Sequence, residues 1–127
     1  MINDFLIMNI TGDNDSIGLK IKNNFFIKKF TSDIKNYEAL TYNILNFIIL
    51  KDVNIGKNFS VLVNSGPGSF SSIRISIAVA KGIKISKECS LFSYNAADLV
   101  EFKLKNIELL IKKNLLENKL IKPVYIS

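Results

Sequence analysis

Histidine and tryptophan are absent from these 127 residues, and cysteine occurs once, at Cys89. Without histidine, Ser-His and Cys-His nucleophile pairs and HExxH zinc sites are excluded. A lone cysteine rules out an internal disulfide and a cysteine metal cluster. No apolar run approaches the length that spans a membrane. The N-terminus carries Asp4 and no basic segment before its short apolar run, which is unlike a signal peptide. Together these absences lead to the expectation of a cytoplasmic chain without a membrane.

Hydrophobic residues make up 48% and charged residues 22%, which are globular values and argue against disorder. The length suits a single domain, residues 1–127, able to bury a real core. The net charge of +6 permits an acidic or nucleic-acid partner. The lysines, however, are scattered among isoleucines and asparagines, which reads as compositional bias rather than a basic patch. No arginine and lysine stripe interleaved with stacking aromatics occurs, so direct reading of RNA is not expected.

Along the chain, FLIMNI (residues 5–10) is a continuous apolar run and predicts a central strand. Thr11, Gly12, Asp13, Asn14 and Asp15 form a turn of residues that bond their own backbone. Residues 16–22 alternate, with Ile17, Leu19 and Ile21 on one face, and predict a half-buried strand. Asn23-Asn24 is a two-residue turn into a third strand at 25–30, paired as a hairpin. Residues 34–50 predict a helix on which Ile34, Tyr37, Leu40, Thr41, Ile44, Leu45, Phe47, Ile48 and Ile49 cover more than half the circumference. An ordinary surface helix shows a narrower stripe. Either the helix is wedged deeply in the fold, or it serves its own sheet on one side and a partner on the other.

The most informative stretch runs from Ser60 to Ser86, SVLVNSGPGSFSSIRISIAVAKGIKIS. Residues 59–64 predict a buried strand, broken by Ser65-Gly66-Pro67-Gly68-Ser69. Ser71 or Ser72 could cap a following helix, residues 72–86. Strand, glycine turn and helix aim a helix N-terminus at an anion, so Ser65, Gly66, Gly68 and Ser69 are candidate phosphate-loop residues. Neither GxGxxG nor GxxxxGK[ST] is present, so spacing alone is a weak argument for a phosphate cradle, and the plain alternative is a tight turn whose glycines supply unusual backbone angles. SIRISIAV alternates and is β-branched, which on propensity alone also suits a strand, but helix is preferred because Ala78, Ala80 and Lys81 follow. As a helix it would place Arg74 and Lys81 on one face and Ile73, Ile77 and Ala80 on another. A fifth strand follows at 89–93, then a brief helix at 96–102 capped by Asn95. Leu104, Ile107, Ile111 and Leu115 mark a final amphipathic helix, about 104–118.

GPGSFSSIRISIAVAKGI resembles the GPGSFTGLRIG-x-x-x-AKGL signature of the TsaB (YeaZ) family, helpers in the synthesis of threonylcarbamoyladenosine on tRNA. Gly66, Pro67, Gly68, Ser69, Phe70, Arg74, Ile75, Ala80, Lys81 and Gly82 match in register, while Ser72 and Ser76 replace two family glycines. Asn36-Tyr37-Glu38-Ala39-Leu40 stands where the family often reads HSE-x-L, and Lys122 to Ile126 resembles its closing P-x-Y-L/I-R tail. The resemblance implies an α/β fold, a ribonuclease H-like or actin-like ATPase lobe. Its five-stranded mixed sheet would have three antiparallel strands followed by two parallel ones. It also implies that a C-terminal helix and tail, about 103–127, stand where the family carries a second lobe.

Where such ATPases place an acidic residue on the first strand, and TsaB reads LALDTST, this chain has Asn9. An amide lacks the charge that hard cations favour, so neither a metal site nor ATP hydrolysis by this chain is expected. Family likeness implies an accessory subunit, not an enzyme, that docks on a TsaD-like protein which carries the metal and modifies adenosine beside the tRNA anticodon. A TsaE-like ATPase usually joins them. ATP or ADP and tRNA would enter only through the complex, and peptidase activity is rejected. The expected interface is Tyr37, Leu40, Thr41, Ile44, Leu45, Ile48, Ile73, Arg74, Ile77 and Lys81. The alternatives are a phosphate- or nucleotide-binding ATPase-like lobe, and a degenerate chain that pairs with itself as a homodimer.

Overall fold

The computed structural model describes residues 2–30, 36–51, 53–118 and 124, without the Tyr37 side chain. Strands β1 (Asp4–Asn9), β2 (Ser16–Ile21) and β3 (Asn24–Lys29) form an antiparallel meander. Helix α1 (Tyr37–Leu50) leads to β4 (Phe59–Asn64), which pairs in parallel with β1. Helix α2 (Phe70–Lys87) leads to β5 (Ser90–Tyr94), parallel to β4, and the chain goes on to α3 (Leu104–Lys112). The sheet order is β3-β2-β1-β4-β5, the expected mixed sheet.

Alternation along the strands divides the core between the two faces. Leu6, Met8, Ile17, Leu19, Val61, Val63 and Leu91 point to the face covered by α1 and α2, where they meet Leu40, Ile44, Phe47, Ile48, Ile73, Ile77 and Ala80. Phe5, Ile7, Leu62 and Tyr94 point to the other face, against Leu99, Ile107 and Leu110 of the segment that holds α3. Both crossovers bring the chain back along the sheet, so α1 and α2 run side by side, each opposite in direction to β1 and β4.

Several boundaries differ from the sequence expectation. The hairpin turn sits one residue earlier, at Lys22-Asn23, because Ile21 pairs with Asn24 and Lys22 takes a left-handed conformation at φ 55°. Residues 34 and 35 of the expected first helix lie outside the described residues. The α1 N-cap is Asn36, whose side-chain oxygen accepts from the Ala39 amide at 2.8 Å. Residues 73–80 are helical, the reading preferred from the sequence, but α2 starts earlier than expected. Its cap is Ser69, whose Oγ accepts from the Ser72 amide at 3.3 Å; Ser71 and Ser72 already lie inside the helix. The helix expected at 96–102 is one 3-10 turn, Ala96–Asp98, capped by Asn95. Beyond it the chain extends to bury Leu99.

The last helix ends at Lys112 instead of about 118. Asn114 takes a left-handed conformation (φ 57°) and its amide donates to the Ile111 carbonyl, while the Leu115 amide reaches Leu110. That double closure is a Schellman motif with asparagine in the position glycine usually takes. It turns the chain back so that Glu117 pairs antiparallel with Ser93 on the free edge of β5.

Eight of the eighteen residues of α2 are buried: Ser72, Ile73, Ile75, Ser76, Ile77, Val79, Ala80 and Ile83. Among them the Ser76 hydroxyl is fully enclosed, with no hydrogen-bond partner among the described residues. A buried donor left unmade is destabilising, and alanine is the better helix former. Ser76→Ala should therefore raise stability by about 1 kcal/mol, read as a higher urea midpoint at constant slope. A lower midpoint would mean that the hydroxyl is satisfied inside the helix.

Candidate functional site

The carboxyl ends of β1, β4 and β5 come together at one end of the sheet, the side on which open α/β sheets place their ligands. They are tied by side chains. Asn64 Nδ2 donates to Asn9 Oδ1 at 2.7 Å, and the Tyr94 hydroxyl donates to the Met8 carbonyl at 3.0 Å, with Asn9 Oδ1 at 3.3 Å. Asn64 Oδ1 in turn accepts the Gly66 amide at 2.8 Å. Asn64 and Tyr94 are buried. Burial pushes the Tyr94 phenol well above its ordinary 10.0, and the neighbouring Asn64 side chain opposes that rise.

The turn after β1 is organised by Asp15, which is 5% exposed. Its Oδ1 accepts the amides of Thr11 and Gly12 at 3.0 and 2.9 Å, the local bonding expected of this polar stretch. The glycine loop lies on that turn, with the Ser69 amide donating to the Thr11 carbonyl at 2.9 Å. Gly12, at φ +94°, faces Ser69, and any Cβ there would stand 2.7 Å from its hydroxyl. Gly68 lies against Thr11 and Ile73. Gly66, at φ +106°, faces the Val124 carbonyl, and the Val124 amide donates to Ser65 O at 2.8 Å. The rest of the expected closing tail, Lys122, Pro123, Tyr125 and Ile126, lies outside the described residues.

The four candidate phosphate-loop residues therefore sit together, at the head of α2. Three of their amides are engaged within the chain: Ser65 with Tyr94 O, Gly66 with Asn64 Oδ1, and Ser69 with Thr11 O. A phosphate cradle needs such amides pointing at the ligand. A cavity of about 490 Å³, lined by none of the loop residues 65–69, is bounded by Asn9, the turn residues Asp13, Asn14 and Asp15, Ser16 at the start of β2, and Lys29, Phe30 and residues 100–103. Among the described residues no group of three histidine, cysteine, aspartate or glutamate side chains could hold a metal ion. No described helix is long and apolar enough to cross a membrane.

The expected interface residues divide between core and surface. Leu40, Ile44, Ile48, Ile73 and Ile77 are buried in the face between helices and sheet, so they are the chain's own core and not surface. Leu45 and Arg74 are exposed, Thr41 and Lys81 are half-buried, and the Tyr37 side chain lies outside the description. The sequence reading did not single out Tyr42 (69% exposed), Ile49 (73%), Leu50 (71%) or Ile85 (78%) as surface. Glu38, Tyr42, Leu45 and Ile49 follow the spacing i, i+4, i+7, i+11 and so form one outward stripe on α1.

No protein-family model matches the sequence, and no curated protein is similar to it. Solved structures share the fold. YeaZ from Pseudomonas aeruginosa aligns over 73% of this chain and 44% of its own, at a TM-score of 0.66 and 15% identity. An uncharacterised protein with similarity to peptidase YeaZ from Pseudomonas aeruginosa aligns over 73% and 43%, at 0.65 and 15%. Over the aligned part the chain thus has the YeaZ (TsaB) fold, and it spans less than half the length of these structures.

Two substitutions test the knot at the strand ends. Tyr94→Phe removes the hydroxyl from Met8 O and should cost about 1–3 kcal/mol at neutral pH. Because folding raises the phenol's pKa, its stabilising contribution is complete below the unfolded value of 10.0 and is lost as pH rises past it. The stability gap between wild type and Tyr94→Phe, from urea titrations, should narrow above that pH; a gap that ignores pH would refute the buried phenol. Gly66→Ala combines a left-handed alanine with a clash on the Val124 carbonyl. It should cost about 2 kcal/mol or more, and an unchanged midpoint would remove Val124 from the loop.

Proposed function

We propose that this chain is a non-catalytic subunit that docks, through the outer faces of α1 and α2, on a TsaD-like enzyme. That enzyme would install threonylcarbamoyladenosine beside the tRNA anticodon, with a TsaE-like ATPase joining the assembly. The observation that carries the reading is the outward stripe of Tyr42, Leu45 and Ile49, with Leu50 beside it, on a lobe of YeaZ fold. Exposed apolar side chains aligned on one helix mark a protein contact more readily than a solvated face.

The chemistry at the strand ends supports an accessory role. Asn9 supplies an amide where a metal-dependent ATPase needs a carboxylate, and the amides of Ser65, Gly66 and Ser69 are bonded inside the fold. A nucleotide-binding lobe with its own activity is therefore the weaker reading. With no histidine in the sequence, peptidase chemistry through a Ser-His or Cys-His pair has no base. In this reading ATP, ADP and tRNA belong to the assembled complex.

The test is co-purification with the TsaD-like protein of the same genome, read by size-exclusion chromatography with light scattering. Wild type should form a one-to-one complex. Leu45→Asp with Ile49→Asp, both at exposed positions, should weaken it by roughly 100-fold or more while leaving the urea midpoint near wild type. A double variant that is folded and still binds fully would overturn the docking face. Titration with magnesium ATP at about millimolar concentration, a range of weak affinity, should give no binding to the isolated chain; saturable binding would restore the ATPase-like reading.

A further inference from the structure

The lysines that look scattered in the sequence are not evenly spread on α2. Arg74, Ala78, Lys81 and Ile85 repeat the spacing i, i+4, i+7, i+11 and form its outward stripe, with Lys84 and Lys87 beside its lower half. Arg74, the chain's only arginine, holds its guanidinium 5.6 Å from the centre of the half-exposed Phe70 ring. Among the described residues, the carboxylates carried by the two helices and their caps are Glu38, in the first turn of α1, and Glu88, the C-cap of α2. Lys51, at the end of α1, is directed away to the Phe26 ring on the β3 side. The two helices lie side by side on one face of the sheet and run the same way. They therefore present a composite surface: an apolar stripe on α1 and a cationic one on α2.

Such a surface is selective. In a two-fold pair of identical chains, each copy brings the same four cations of α2 to one interface, against Glu38 and Glu88 among the described carboxylates of these two helices. The net charge of +6 on each copy adds to that repulsion. Like charges facing each other across an interface are a principal means of rejecting wrong partners. A partner that offers apolar side chains to α1 and carboxylates to α2 meets no such penalty.

We infer that the α1–α2 face is built for a different protein whose docking surface is apolar with a surplus of carboxylates, and against a second copy of this chain. The inference rests on the docking reading above and adds to it the chemistry of the partner. Charge on α2 sets selectivity and encounter rate, while the α1 stripe supplies contact area.

The experiment uses the full chain and the TsaD-like protein of its genome, with affinity measured calorimetrically from about 50 mM to about 500 mM salt, a range that shrinks the screening length severalfold. Lys81→Glu with Lys84→Glu, both outside the core, is compared with wild type, and light scattering reads each chain alone. The expected result has three parts: a monomeric wild type at low salt, binding that weakens roughly tenfold across the salt range, and a charge-reversed variant at least about tenfold weaker at low salt. Tight binding that ignores both salt and charge reversal would overturn the inference and leave the docking reading intact. So would a wild type that pairs with itself at low salt while still binding the partner. Failure of wild type to bind at any salt would overturn both.

Discussion

Asn9, Asn64 and Tyr94 form the constraint on which the working end of this molecule depends. Three parallel strands end side by side, and each contributes one side chain to a shared set of hydrogen bonds at 2.7–3.3 Å. Asn64 also takes the Gly66 amide, so a buried side chain decides where the glycine loop leaves the sheet. The loop then rests on the β1 turn through Ser69 and Thr11, and the same Ser69 caps α2. The position of α2, and with it the outer face of the helical layer, is thus inherited from a polar knot at the strand ends. Asparagine suits this place because one amide oxygen accepts from two neighbours while remaining neutral. A carboxylate tied in the same way would be a charge held among buried groups, which costs several kcal/mol unless a cation accompanies it.

Much of the fold was legible because strands announce themselves through period and punctuation. All five were placed to within a residue, since alternation, apolar runs and turn residues all agree there. Helix ends were harder, because several residues in a row can cap. Ser69, Ser71 and Ser72 are equivalent by type, and only the docking of Ser69 on Thr11 selects the first. Asn114 gave no warning that it would close α3, since asparagine in the left-handed position depends on where the chain must go next. In this case it must return to pair Glu117 with Ser93.

The surface was read least well, and for a definite reason. Projecting residues 34–50 on a helix counts apolar coverage but does not say which part the sheet and α2 will claim. They take Leu40, Ile44, Phe47 and Ile48, which leaves Tyr42, Leu45 and Ile49 outside. The excess coverage corresponds to apolar side chains left exposed, but which residues those are needed the third dimension. The knot at the strand ends was equally hidden. Asn9 and Asn64 are 55 positions apart, and nothing local in either segment announces that they will meet.

What the outer face can do follows from magnitudes. Fully burying one large apolar side chain contributes about 1.5–3 kcal/mol. Three or four residues of that kind on α1 yield a gain comparable to the 4–15 kcal/mol or so that two molecules lose in translational and rotational freedom on association. The apolar stripe alone is therefore close to break-even, enough for weak contact and not for a stable pair. In that regime a modest electrostatic difference decides which partner is kept, because about 1.4 kcal/mol changes an equilibrium tenfold. In the proposed docking, the four cations on the adjacent helix would supply such a difference. A stronger apolar face would bind indiscriminately, a second copy included, and a purely charged one would lose its hold at physiological salt. In the proposed docking, the division between α1 and α2 would avoid both outcomes: one helix would provide area and the other choice.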